Sequence, residues 1–288
     1  MKKMIENQIN KFVSNRLIVD RKVLSEAFKM KCEKITLDTN EVYIAKYYKK
    51  KQNKFNSIVS ETKSLYFFSN KNQLLFPSIK YSSKELLIMN YIENNNIKAS
   101  NYQETLSNLI TKVHCFTNEK FGFNFDSQIG GLKQPNKFNS NWVNFFRENR
   151  LNMIFEIINK SDPMPKNINV KLEQLLKNLQ NLIPNKPKPR LLHGDLWEGN
   201  ILFNNGKLVG LIDPGIFYGH NEMEIAYLTW FKYVNKEFLN IYKNIIPIEK
   251  NFLEYEPIYQ LYYSLLNYYL WDKKYISNIS NLLIQLKI

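Results

Sequence analysis

Four residues are spaced as a phosphate-transferring site would space them. His193, Asp195 and Asn200 share one short loop, and Asp213 follows thirteen residues after Asn200. Between them lie two apolar runs, Ile201–Phe203 and Leu208–Ile212, around Asn204-Asn205-Gly206. Asn-Gly between apolar runs is a hairpin signal, because both residues tolerate the left-handed backbone of a tight turn. The hairpin is expected to return Asp213 beside the Asp195–Asn200 loop. An amide oxygen and a carboxylate brought together suit Mg²⁺, a hard cation that completes its shell with substrate phosphates. Asp195 is then the carboxylate that orients a substrate hydroxyl and takes its proton, with Asn200 and Asp213 as metal ligands. His193 is expected to hold the loop through backbone hydrogen bonds. His114 and His220 are isolated; no zinc-type spacing links the three histidines.

A second pair belongs to the same chemistry. Lys46 stands late in the β-prone run VYIAKYY, where an ammonium between apolar neighbours needs a partner. Glu61 lies fifteen residues on, within a helical pattern over 54–70. A strand lysine paired with a helix glutamate is expected to grip the phosphates of ATP.

The elements that position these residues can be read in outline. Residues 33–48 form two β-prone runs around Asp38-Thr39-Asn40, and 85–92 reads as a buried strand. The spans 102–116, 140–159 and 168–182 are amphipathic helix candidates, and the tail 222–288 carries aromatic residues at helical spacing, expected as core. Pro184, Pro187 and Pro189 demand an extended stretch before the catalytic loop. All nine glycines follow residue 121, and six fall between 194 and 219, which marks that stretch as the place of tight turns.

Composition limits the alternatives. The formal charge is +14, but lysine supplies 35 of the 40 basic residues and is dispersed. The densest run, Lys49-Lys50-Lys51 with Lys54, reads as solvated surface, so no nucleic-acid partner is expected. No apolar run approaches a membrane span, and MKKMIENQIN lacks the apolar stretch of a signal peptide. Cys32 and Cys115 do not form a disulfide framework. A cytoplasmic protein without a membrane partner, and a monomer, is the expectation.

HGDLWEGN at 193–200, with Trp197, and IDPGIFYGHNEMEIAYL at 212–228 resemble the fructosamine/ketosamine kinase family, a relative of the aminoglycoside phosphotransferases and choline kinases. The segment 121–151, with Gln134, Asn136, Trp142 and Arg150, looks like the same family, and the likeness runs from about Lys46 to the C-terminus. The resemblance implies an α+β, two-lobed protein-kinase-like fold: a small β-rich N-lobe over 1–92 and a larger, mainly helical C-lobe over 93–288. It implies ATP- and Mg²⁺-dependent phosphorylation of the sugar 3-hydroxyl of a ketosamine, small or protein-bound, as a deglycation step. By the same resemblance Asp195 is the base, Asn200 and Asp213 bind Mg²⁺, Lys46 and Glu61 hold ATP, and the backbone of Met89, Asn90, Tyr91 and Ile92 is the adenine hinge. Trp197, His220, Gln134 and Asn136 are candidate substrate residues. Two departures stand out: the expected phosphate-covering loop, LSEAFKMKCEK at 24–34, contains no glycine, and Asn90 replaces the usual hinge Glu. The competing readings are a phosphotransferase for choline or aminoglycosides, and a degenerate kinase fold that only binds.

Overall fold

A computed structural model describes residues 1–50, 55–69 and 75–288. The chain forms two compact units, each assembled from separate stretches. The first contains 1–102, 127–133 and 199–215; the second contains 103–126, 134–198 and 216–288.

The first unit is built on a five-stranded antiparallel sheet. Its strands are β1 (Ile18–Ala27), β2 (Met30–Leu37), β3 (Val42–Tyr48), β4 (Ile79–Ser82) and β5 (Leu86–Asn90), in the order β1-β2-β3-β5-β4. Successive strand residues point to opposite faces. Ile35, Leu37, Tyr43, Ala45, Tyr47, Leu86 and Ile88 therefore share one face, covered by Ile5, Ile9 and Val13 of helix α1 (Lys2–Val13). Tyr48, Leu87 and Met89 take the other face, with Ile58 and Leu65 of helix α2 (Ser57–Phe68). Two covered faces explain why Leu86–Met89 is one unbroken apolar run. Asn56 caps α2 by accepting the Val59 N–H at 3.1 Å.

The span 24–34 is not a loop. β1 runs through Ala27, β2 starts at Met30, and Ala27 pairs with Met30. Only Phe28 and Lys29 make the turn, with φ of 50° and 66°. Paired positive φ values are the signature of the primed two-residue hairpin turn, normally the province of Gly and Asn. Lys49 pairs with Glu26 near this turn at 2.5 Å; Lys51 and Lys54 of the same basic run lie outside the described residues.

The second unit is mainly helical. Its helices are α3 (Tyr102–His114), α4 (Trp142–Phe146), α5 (Met153–Ser161), α6 (Lys166–Asn178), α7 (Asn221–Trp230), α8 (Lys236–Lys243), α9 (Phe252–Leu270) and α10 (Ile276–Gln285). A π-helical turn, Arg147–Asn152, joins α4 to α5. Burial of Tyr255, Tyr259, Tyr262 and Tyr263 places these aromatic residues of the tail in the core, whereas Phe231 and Trp271 are exposed. Among the described residues, no helix is long and apolar enough to cross a membrane.

Candidate functional site

Lys46 lies on the α2 face of β3 and is only 8% exposed. Its Nζ donates to Glu61 Oε1 at 2.8 Å and also bonds the Asp213 carboxylate. Burial alone would strip the proton from this ammonium; Asp213 and then Glu61 more than reverse that, and Lys46 stays charged far above neutral pH. One cation serves two carboxylates, so the cost of the uncompensated negative charge falls on the better-buried one and favours its protonated form. Burial chiefly, with repulsion from Asp213, pushes the Glu61 carboxyl above the ordinary range despite its bond to Lys46. Across the sheet, Cys32 pairs in register with Lys46. Burial pushes its thiol up to about 11, which keeps it protonated and unreactive at neutral pH.

The hairpin of β6 (Ile201–Asn204) and β7 (Lys207–Leu211) turns at Asn205 and Gly206, with φ of 48° and 83°. At its open end the Ile212 N–H donates to the Asn200 carbonyl at 3.0 Å. Asn200 is thereby brought beside the residue preceding Asp213. Asp213 itself adopts φ of 57°, a left-handed conformation that Asp and Asn tolerate best among non-glycine residues. Asn200 and Asp213 carry one amide oxygen and one carboxylate, hard donor types that could hold Mg²⁺.

At the hinge, Asn90 Oδ1 accepts from Ser78 N at 2.6 Å and from Ser78 Oγ at 2.9 Å. Asn90 thus ties β5 to the segment before β4. The Tyr91 N–H is engaged with the Val42 carbonyl at 3.1 Å, and Lys34 Nζ sits 4.3 Å from the Tyr91 ring centre. Met89 is part of the core, and Ile92 packs over Gly210, where an added Cβ would fall 2.7 Å from Ile92 Cδ1.

Asp195 is half-buried in the second unit, in a loop fixed from below by a residue that sequence reasoning missed. Glu224, fully buried on α7, accepts the His193 N–H at 3.1 Å and the Gly194 N–H at 2.7 Å. His114 Nε2 lies 2.9 Å from the same carboxylate, and His114 Nδ1 lies 2.7 Å from Tyr242 Oη. Burial would raise the Glu224 pKa, but the hydrogen bond and charge of His114, with help from His193 and the Gly194 N–H, bring it below the ordinary value. His193 Nδ1 in turn accepts the Asp195 N–H at 3.3 Å. The only sequence signal for Glu224 was an acidic residue inside the apolar helix MEIAYL.

Three expected substrate residues are interior instead. His220 is 3% exposed, with Nδ1 2.8 Å from Tyr259 Oη. Gln134 is buried and accepts from Tyr262 Oη at 3.1 Å. Asn136 accepts from Arg150 Nη2 at 2.8 Å and donates to the Phe125 and Ile216 carbonyls at 3.1 and 3.3 Å. All three side chains have interior partners, tyrosine hydroxyls for His220 and Gln134 and backbone carbonyls with Arg150 for Asn136. Trp197, by contrast, is 38% exposed.

A sequence model of the fructosamine kinase family matches residues 1–288. The chain belongs to the fructosamine kinase family. Its relatives include a probable ketoamine kinase of Enterococcus faecium, 34% identical over 202 residues, or 68% of this chain and 70% of that one. A chloroplastic protein-ribulosamine 3-kinase of Arabidopsis thaliana is 29% identical over 200 residues, 68% of this chain and 60% of that one. In three dimensions, a candidate fructosamine-3-kinase of Haemophilus somnus superposes with a TM-score of 0.84 at 24% identity, over 99% of this chain and 97% of that one. The fold is therefore the kinase-like one that the sequence motifs implied, with a β-rich first part and a helical second part.

Proposed function

We propose that this protein is an ATP-dependent kinase for ketosamines, transferring phosphate to the sugar 3-hydroxyl as a deglycation step. The observation that carries the reading is the buried Lys46 ammonium held between the Glu61 and Asp213 carboxylates. A protein that had abandoned phosphoryl transfer would gain nothing from burying one cation with two carboxylates, since desolvating such groups is costly.

The roles follow from the chemistry of each group. Lys46, kept charged and oriented by Glu61, pairs with the phosphates of ATP. The backbone of Met89–Ile92 forms the adenine hinge; the Asn90 and Tyr91 N–H groups are engaged by the Ser78 and Val42 carbonyls, so recognition falls to the remaining backbone groups of the hinge. Asn200 and Asp213 would hold Mg²⁺, which when bound supplies neutralisation of phosphate charge. Asp195, on a loop made rigid by Glu224, orients the 3-hydroxyl and accepts its proton. Trp197 offers an exposed aromatic face to the sugar or its amine. His220 and Gln134 act by tying the tyrosines of α9, and Asn136 by holding backbone carbonyls in place.

The test is turnover of ATP with Mg²⁺ and a ribulosamine or fructosamine, set against choline and an aminoglycoside. Consumption with the ketosamine alone supports this reading, whereas turnover only with choline or the aminoglycoside would reassign the acceptor.

A further inference from the structure

α7 does more than anchor the catalytic loop. Residues three and seven apart on a helix share a face. Glu224, Tyr227 and Phe231 therefore form one line along α7 and its end, with Trp230 beside it. The line starts at the loop, because Glu224 grips the backbone of His193 and Gly194. It ends in the open: Tyr227 is buried, Trp230 is half-buried, and Phe231 is 39% exposed.

The rings are mutually packed and held rigid. Tyr227 stacks on Tyr263 with centroids 3.6 Å apart and planes 6° from parallel. Phe231 lies 5.2 Å from Tyr227 and 4.9 Å from Trp230, and Trp230 lies 5.9 Å from Tyr275. Burial first, then the charge of Asp195, holds the Tyr227 hydroxyl protonated well beyond the ordinary tyrosine range. The geometric tie between α7 and this loop is the bond from the Gly194 N–H, one residue before Asp195, to Glu224.

A ketosamine bound with its sugar hydroxyl at Asp195 must carry its amine outward. That half of the molecule has a cationic nitrogen and an amine-specific substituent. Aromatic faces attract cations and pack on apolar substituents without needing a fixed hydrogen-bond pattern. We infer that the outer end of α7, with Trp230 and Phe231 at its exposed edge, is the subsite for the amine-bearing half of the substrate and favours aromatic amines. This inference rests on the ketosamine reading above.

The experiment compares two ketosamines with the same sugar, one formed from benzylamine and one from methylamine, as substrates for the full-length protein. The expected wild-type preference is a higher kcat/KM for the benzylamine compound. In Phe231→Ala and Trp230→Ala the ratio of the two kcat/KM values should fall about tenfold through KM, and Trp230→Phe should restore most of it. An unchanged ratio in both alanine variants overturns the inference. Should Trp230→Ala fail to fold, the exposed Phe231→Ala decides the matter by the same ratio. If the wild type binds Mg·ATP but phosphorylates neither compound, the ketosamine reading itself falls, and this inference with it.

Discussion

Glu224 Oε1 accepts the Gly194 N–H at 2.7 Å, one residue before Asp195. The bond joins a helix of the core to the loop that carries Asp195, the proposed base, and the second oxygen of the same carboxylate takes the His193 N–H and faces His114. A buried carboxylate serving two backbone donors and an imidazole fixes the loop more firmly than the loop's own short sequence could.

Glu224 should therefore govern acid stability. Its native pKa lies below the ordinary value of 4.5. The unfolded chain thus binds the proton more readily, and stability rises with pH across that interval. The contribution is complete above about pH 4.5 and is lost as pH falls through the native value. Glu224→Gln should flatten this acid limb and lower stability at neutral pH by about 1–3 kcal/mol, since the amide cannot serve all three partners. Thermal melts from pH 3 to 7 measure both effects (roughly the range in which carboxylates titrate); a variant with an unaltered acid limb would contradict the assignment.

Lys46 and Glu61 should separate by severity. Lys46→Met leaves two carboxylates without their cation and removes the phosphate partner, so turnover should drop about 10²-fold or more. Glu61→Gln keeps the Lys46–Asp213 pair and should cost less. Steady-state kinetics with varied ATP provide the comparison, and the reverse ranking would mean that Lys46 serves the fold alone.

Asp213 offers a clean change of charge. Asn tolerates the left-handed φ of 57° as Asp does, so Asp213→Asn alters the ligand and spares the backbone. The Mg²⁺ concentration giving half-maximal activity should rise about tenfold or more, in keeping with the loss of an anionic ligand to a hard cation. Titration of activity with Mg²⁺ tests this, and an unchanged midpoint would remove Asp213 from the metal site.

Gly122 should be the least replaceable glycine of the second unit. Its φ is 108°, and a Cβ there would lie 2.5 Å from the Asn136 carbonyl, a backbone atom that cannot swing aside. Gly122→Ala is expected to cost about 2–4 kcal/mol in chemical denaturation. Gly210→Ala meets the flexible end of Ile92 instead and should cost less.

The closeness of Asn200 to the residue before Asp213 was legible because an Asn-Gly turn encodes a local hairpin, and the hairpin closes on the Ile212–Asn200 bond. Lys46 and Glu61 were legible because a buried strand lysine demands a partner. β1 was not legible: most of its residues are exposed, so the alternation that betrays a strand is missing. The turn at Phe28 and Lys29 escaped notice because neither is a usual turn residue. The burial of His220, Gln134 and Asn136 was not legible, because a polar side chain looks the same in sequence whether it faces solvent or an interior partner. Glu224 acts on residues about thirty positions away, and that distance carries no local pattern.

Asp195 carries the central claim. With ATP, Mg²⁺ and a ribulosamine, the wild type should form ADP and a product phosphorylated on the sugar 3-hydroxyl, as read by phosphorus NMR. Asp195→Asn should lose about 10²–10⁴-fold of that rate while keeping its melting temperature. Full activity in Asp195→Asn would contradict the account directly.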